Sequence, residues 1–314
     1  MPKLSVIIPC YYNEANIPVT SRRLIENEAL FPPEVTFEYV LVNDGSRDET
    51  LRELLLFQGQ YPDRVRVVDL AANVGSYNAM VAGMEHCTGD GTVIITADLQ
   101  DPPELMAQMY AYWQQGFRLV IGNRQDREET GLQRWLATIF HALMKRIALP
   151  NLPDGGFDYV LFDRRVREEV LKLRERNSNV LYLMVWLGFP YVNIPYVRKR
   201  REIGKSRWTL SKKVKLFIDS ILAFSFVPVR AISGLGLVLG IVALLYGLYI
   251  IGLKLLAPQS PPGWTALMVV LLFVSAFQMI ALGVIGEYVW RGLDAARGRP
   301  LYVVKHVYES TTSS

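Results

Sequence analysis

Two uninterrupted apolar stretches constrain this chain more than any other feature. Residues 232–256 are almost wholly apolar, and residues 264–289 are nearly so until Glu287. At about 1.5 Å of rise per residue, each is long enough as a helix to cross a hydrocarbon core of about 30 Å. The link between them, Ala257-Pro258-Gln259-Ser260-Pro261-Pro262-Gly263, carries no charge and reads as a tight turn. Burying both stretches inside a soluble protein would need a very large domain around them. Basic residues crowd the outer flanks. Arg198, Lys199, Arg200, Arg201, Lys205, Arg207, Lys212, Lys213 and Lys215 precede the first stretch, opposed only by Glu202; Arg291, Arg297, Arg299 and Lys305 follow the second. The positive-inside rule then predicts a multi-pass protein of the inner (plasma) membrane with both termini cytoplasmic. Lys254 can snorkel to the interface, and Glu287 is expected to pair with Arg291 one helical turn on.

The remainder is different in kind. A hydrophobic share of 51% allows a sizeable core, and a net charge of +4 is too mild to argue for nucleic acid. Cys10 and Cys87 sit in apolar segments with no paired spacing, so both read as small core residues. Met1-Pro2-Lys3 leads straight into a strand, so no signal peptide is expected. Strand patterns at residues 4–8, 38–42, 65–69, 92–96 and 118–122 alternate with helical patterns at 17–27, 48–60, 77–85 and 103–115. Such alternation predicts an α/β fold with a mostly parallel, Rossmann-like sheet. A second αβ region spans about 132–197. The expected organisation is therefore an α/β domain over 1–209, an amphipathic interface helix region over 210–230, two transmembrane helices over 231–290 and a cytoplasmic tail over 291–314.

Three of the strands end in polar clusters. The first ends in Pro9-Cys10-Tyr11-Tyr12-Asn13-Glu14, the second in Asn43-Asp44-Gly45-Ser46-Arg47-Asp48, and the fourth in Asp98-Leu99-Gln100-Asp101-Pro102-Pro103-Glu104. Parallel strands place all three on one sheet edge, where open α/β sheets bind ligands. Asp98 and Gln100 offer oxygen donors of the kind a hard divalent cation requires. The plainer alternative is that Asp98 or Asp101 caps the next helix, and Glu14 and Asp44 can be read as caps too. Together, tyrosine rings, an Asp on a glycine turn and an acidic strand end suit a nucleotide. Neither G-x-G-x-x-G nor G-x-x-x-x-G-K-[ST] follows the first strand.

At this point the chain resembles the family 2 inverting glycosyltransferases of GT-A fold. The likeness rests on Ser5-Val6-Ile7-Ile8-Pro9, Asn13-Glu14, Asn43-Asp44-Gly45-Ser46, Asn73-Val74-Gly75 with Ala79 and Ala82-Gly83, and Ala97-Asp98-Leu99-Gln100-Asp101-Pro102-Pro103-Glu104. The paired apolar stretches and Arg201-Glu202-Ile203-Gly204-Lys205-Ser206-Arg207-Trp208 narrow it to the polyisoprenyl-phosphate glycosyltransferases, which include dolichol-phosphate mannose synthases and bacterial undecaprenyl-phosphate glucosyltransferases.

The resemblance implies single transfer of a sugar, such as glucose from UDP-glucose, to a polyisoprenyl phosphate at the cytoplasmic membrane face. It implies that Pro9, Tyr11 or Tyr12, Glu14, Asp44 and Ala97 bind the nucleotide-sugar, and that Asp98 and Gln100 hold Mg²⁺ or Mn²⁺ against its diphosphate. Arg124, with Arg201, Lys205, Ser206 and Arg207, would hold phosphates of donor or acceptor, and Asp158 would lie beside the reacting centre. Taken by themselves, Arg124 is equally a surface ion pair and Asp158 a turn residue. Three features depart from the family's pattern: Thr96 stands for the first Asp of Asp-x-Asp, Asn43 for the first Asp of Asp-Asp-Gly-Ser, and Tyr11-Tyr12 carries one residue more than the usual Pro-x-Tyr-Asn-Glu. Rival readings are transfer to a neutral lipid hydroxyl, and a non-enzymatic membrane-anchored sugar-nucleotide sensor or scaffold. The segment from Pro300 to Lys305 is expected to add a strand to a neighbouring subunit, making a homo-oligomer, for example a tetramer.

Overall fold

A computed structural model describes residues 1–124, 142–146, 148–153, 157–173, 175–176, 178–198, 219–256 and 263–310. The chain falls into two compact units, one of residues 1–220 with 300–314 and one of residues 221–299.

The first unit is built on an eight-stranded sheet. Its strands are β1 (Lys3–Cys10), β2 (Thr36–Asn43), β3 (Val65–Leu70), β4 (Gly91–Ile94), β5 (Leu119–Arg124), β6 (Tyr159–Asp163), β7 (Tyr191–Tyr196) and β8 (Val304–Tyr308), in the order β7-β5-β6-β4-β1-β2-β3-β8. Only β6 and β8 run against the rest: β6 is antiparallel to β4 and β5, and β8 to β3. The inner strands are β-branched runs rather than alternating ones because both faces are covered. Val6, Ile7, Ile8, Val40, Leu41, Val42, Val93 and Ile94 are all buried.

Among the described residues, the helices between the strands include α1 (Ile17–Asn27), α2 (Thr50–Gln60), α3 (Ser76–Glu85), α4 (Leu105–Gln114), α5 (Arg164–Lys172) and α6 (Val180–Trp186). Their starts carry local signals. Asp163 caps α5, its side chain accepting from the Val166 N–H, and Asn179 caps α6 in the same way through Leu181. Helix α3 lies so close to β1 that a Cβ at Gly83 would meet Ile7 Cγ2 at 2.4 Å. The order of strands reverses between β1 and β4, which makes their carboxyl ends the natural crevice of such a sheet.

The tail differs from expectation. The strand forms within the chain: β8 pairs with β3, from Val67↔Tyr308 to Leu70↔Val304. The reason is that β3 would otherwise be an open edge with unpaired backbone groups. Arg66 Nε reinforces the pairing by meeting Glu309 Oε2 at 2.6 Å.

The second unit holds α7 (Val227–Leu256) and α8 (Trp264–Ala296). Within them Val227–Tyr249 and Val269–Ala296 are long and apolar enough to cross a membrane, with 0% of either window buried by the protein itself. Glu287 pairs with Arg291 at 3.2 Å, as the spacing suggests, and the Tyr288 hydroxyl donates to the Ser225 carbonyl at 2.8 Å. Of the amphipathic 210–230 region, residues 210–218 lie outside the described residues.

Candidate active site

The loops after β1 and β2 are stitched to each other. The Tyr12 N–H donates to Ser46 Oγ at 3.1 Å, the Asn13 N–H to Thr50 Oγ1 at 2.8 Å, and the Glu49 N–H to Glu14 Oε2 at 2.9 Å. Glu14 thus satisfies the start of α2, as its capping alternative has it. Tyr12 sits in the left-handed region at φ 55°, a conformation that a bulky residue rarely keeps without a reason. Its ring meets that of Tyr11 edge-on, with centroids 4.7 Å apart. Pro9 lies past the last β1–β4 pair, Ile7↔Ile94, so its missing N–H costs that ladder nothing.

Asp44 is buried under the turn after β3. Its carboxylate accepts from the Val74 N–H at 2.7 Å, the Gly75 N–H at 3.1 Å and Asn73 Nδ2 at 2.9 Å. Burial raises its carboxyl above the ordinary range, against the pull of those two backbone donors. The Asn73-Val74-Gly75 block is therefore Asp44's partner, and the acid holds the α3 entry in place. Gly45 makes this approach possible: at φ +62°, a Cβ there would stand 2.5 Å from Asn73 N.

The β4 end gathers a hydroxyl and two carboxylates. Thr96 Oγ1 lies 2.9 Å from Asp98 Oδ1 and 3.0 Å from Asp101 Oδ2, so its single proton serves one acid at a time. The Gln100 N–H turns back to Asp98 Oδ1 at 3.3 Å, with Leu99 between them at φ 51°. Ala97 belongs to the core, and its carbonyl is held by Thr20 Oγ1 at 2.8 Å. Asp101 is fully buried: the Tyr196 hydroxyl donates to its Oδ1 at 2.5 Å, and Arg198 Nε stands 3.6 Å from the same atom.

Arg124 ends β5, and Asp158 immediately precedes β6. Because β6 is reversed, its start lies on the same edge as the carboxyl ends of β1, β2, β4, β5 and β7. Arg124 Nη2 and Asp158 Oδ2 form a close ion pair, and Arg124 Nε donates to the Tyr196 hydroxyl at 3.4 Å. Burial works against the guanidinium charge, but Asp158 and then Asp101 more than offset it, so Arg124 is protonated even more firmly than usual. Tyr77, on α3, is pushed well up by burial and then by the charge of Asp158, so its phenol keeps its proton.

Residues 5–171 match the family model described as glycosyl transferase family 2. The chain belongs to glycosyl transferase family 2. It is 35% identical over 305 residues to an uncharacterized glycosyltransferase of Bacillus subtilis (strain 168), covering 97% of this chain and 94% of that protein. It is 33% identical over 306 residues to the bactoprenol glucosyl transferase of Shigella phage SfV, covering 97% and 98%. Mannosyl-3-phosphoglycerate synthase from Rubrobacter xylanophilus superposes with a TM-score of 0.51 over 75% of each chain at 16% identity, which shows the shared GT-A fold.

This glycosyltransferase therefore assembles Tyr11, Tyr12, Asp98, Gln100, Arg124 and Asp158 along one edge, with Glu14 and Asp44 fastening its loops. Arg201, Lys205, Ser206 and Arg207 lie outside the described residues. The donors at the β4 end are all oxygens, which suits a hard divalent cation. Among the described residues no group of three or more His, Cys, Asp or Glu is placed to hold a metal. Such a site fits a cation that keeps waters and takes its remaining ligands from a substrate diphosphate, as Mg²⁺ commonly does.

Sequence reasoning missed Tyr196 and Tyr77, and read Asp101 only as a cap. Tyr196 lies 95 residues from Asp101 with no spacing to betray the contact. Tyr77 did carry a signal, since it follows the Asn73-Val74-Gly75 block.

Proposed function

We propose that this glycosyltransferase moves one sugar from a nucleotide-sugar, with UDP-glucose the favoured donor, to a polyprenyl phosphate at the cytoplasmic membrane face. The observation that carries the reading is the Arg124–Asp158 pair beside the Asp98–Asp101 acidic end, in a chain whose second unit is two membrane-length helices. The near full-length likeness to a bactoprenol glucosyl transferase supports the same acceptor class. Both ends of the helical pair connect to the sheet unit, because β8 returns to β3. That connectivity supports a two-pass topology with the catalytic unit on the cytoplasmic side.

The Tyr11 and Tyr12 rings and the loop fastened by Asp44 would receive the nucleoside. Asp98 and Gln100 would hold the divalent cation, Mg²⁺ or Mn²⁺, which supplies charge neutralisation for a departing nucleoside diphosphate. Arg124 presents a permanent positive charge to a phosphate. A phosphate monoester is already anionic near neutral pH and needs little help from a base, so positioning dominates. Asp158, already engaged by a guanidinium, suits the orienting of Arg124 or of a sugar hydroxyl better than the taking of a proton. This favours a phosphate over a neutral lipid hydroxyl as acceptor.

The test incubates purified protein with radiolabelled nucleotide-sugars, Mn²⁺ or Mg²⁺ and undecaprenyl phosphate. A lipid-phosphate sugar is expected, lost at least about 100-fold in Asp98→Ala. No lipid-linked product from any donor, or full activity and metal dependence in Asp98→Ala, refutes the reading.

A further inference from the structure

The carboxyl end of β3 carries a buried acid that the reaction as described does not use. Asp69 is 3% exposed and stands in two ladders at once, opposite Asn43 of β2 and His306 of β8. Its Oδ1 accepts from Asn43 Nδ2 at 2.7 Å, and its Oδ2 faces Lys305 Nζ at 3.7 Å. Asn43 Oδ1 accepts in turn from the Ser46 N–H at 3.3 Å, and Ser46 Oγ accepts from the Tyr12 N–H at 3.1 Å. A polar chain thus runs from the C-terminal strand to the left-handed tyrosine after β1.

The β3–β8 register explains how a lysine comes to be there. Asp69 pairs with His306 but Leu70 pairs with Val304, which makes Lys305 the extra residue of a bulge. A bulge re-aims a side chain that strict alternation would send elsewhere. Pairing resumes beyond it, where the Ala71 N–H bonds the Val303 carbonyl at 2.9 Å. The departure at Asn43 now has a physical account as well. An amide there donates to Asp69, whereas a second carboxylate in that place would repel it.

We propose that β8 is a positioning element for the donor nucleotide, acting through Lys305, Asp69, Asn43 and Ser46 on Tyr12. The inference rests on the proposed function, which puts the nucleoside at the ends of β1 and β2. Lys305 and Asp69 are assigned as positioning residues, acting through Asn43 and Ser46. Removing the lysine charge leaves the buried carboxylate drawing the Asn43 amide toward itself and away from the Ser46 N–H, which loosens that loop. Tyr12, held against its steric preference, has the least reserve when that support slackens. Because β8 follows α8, the strand that leaves the helical pair is wired to the donor end of the site.

The experiment uses full-length protein in nanodiscs, with Lys305→Met, the conservative Lys305→Arg, and Asp69→Asn as a second, charge-deleting variant. Amide hydrogen exchange at Tyr12 and Ser46, calorimetric titration with UDP and GDP, and the split between donor KM and kcat are read together. Lys305→Met is expected to speed exchange at both amides and raise the UDP Kd and donor KM about two- to fivefold, with kcat held, as a half-exposed ion pair allows. Lys305→Arg is expected to restore all three, and Asp69→Asn to exceed Lys305→Met. Unchanged exchange at Tyr12 and Ser46 in both charge-removing variants, with wild-type UDP affinity, overturns the relay alone. A wild-type protein that binds neither UDP nor GDP overturns the donor-site reading itself, and with it the purpose assigned to β8.

Discussion

Tyr196→Phe removes one hydroxyl from the centre of the site's buried network and keeps the ring. In the native protein that hydroxyl donates to Asp101 Oδ1 at 2.5 Å and accepts from Arg124 Nε at 3.4 Å. Burial, then the Asp101 charge, pushes the phenol up, so it remains a donor throughout the accessible pH range. Without it the fully buried Asp101 keeps Thr96 Oγ1 at 3.0 Å and Arg198 Nε at 3.6 Å. A hydrogen bond to a buried charged group is worth about 1.5–3 kcal/mol, and the surviving partners hold the loss to about 2 kcal/mol. For a domain of about 150–250 residues this corresponds to a Tm lower by about 4–8 °C. Thermal unfolding of the detergent-solubilised protein measures it. Tyr191→Phe serves as control, because that hydroxyl bonds the Asn151 carbonyl at an exposed position and should move stability by less than about 0.5 kcal/mol. Combining Tyr196→Phe with Asp101→Asn should reveal a coupling of about 1–2 kcal/mol. A Tyr196→Phe protein that melts with wild type, or a cycle with no coupling, refutes the network.

Thr96→Asp replaces a donor shared by Asp98 and Asp101 with a third carboxylate. The metal-free protein should melt lower, while Mn²⁺ measured by electron paramagnetic resonance with UDP present should bind about tenfold tighter; weaker Mn²⁺ binding contradicts the site. Gly45→Ala forces a left-handed alanine whose Cβ meets Asn73 N at 2.5 Å, and should cost about 3 kcal/mol in thermal unfolding and weaken UDP binding. Glu38 is buried, which opposes its ionisation, but the Thr88 N–H, the Ser5 hydroxyl and the Lys3 charge win and hold its carboxyl below the ordinary 4.5. A depressed folded-state value stabilises above the unfolded one and is lost as pH falls through the folded one. Glu38→Gln should therefore melt lower by about 2 kcal/mol at pH 7, with the gap closing below about pH 4.5; a gap independent of pH would count against this network.

Much of the molecule is legible in its sequence. The pattern places helix 17–27 to the residue, and β1 to β5 within a few residues of their ends. Periodicity carries that information because burial of each segment repeats along it. The strand-end clusters were legible for a related reason: parallel strands must bring their carboxyl ends to one edge. What each cluster residue does there was not. Glu14 and Asp44 look like ligands in a motif, yet their oxygens take up backbone N–H groups at the starts of α2 and α3. Local sequence names the donor type and leaves open which partner reaches it first.

By itself the sequence determined the α/β alternation, the two membrane-length helices and the acidic β4 end, all of which depend on neighbours within a few residues. Tertiary structure alone decided that β6 runs backwards, bringing Asp158 to Arg124. It also decided that Tyr196 reaches Asp101, and that the tail closes the β3 edge of its own chain. These outcomes join residues tens to hundreds of positions apart, through strand direction and the satisfaction of buried polar groups. No local pattern encodes them. They follow from where the whole sheet leaves an unpaired edge or a buried charge in need of a partner.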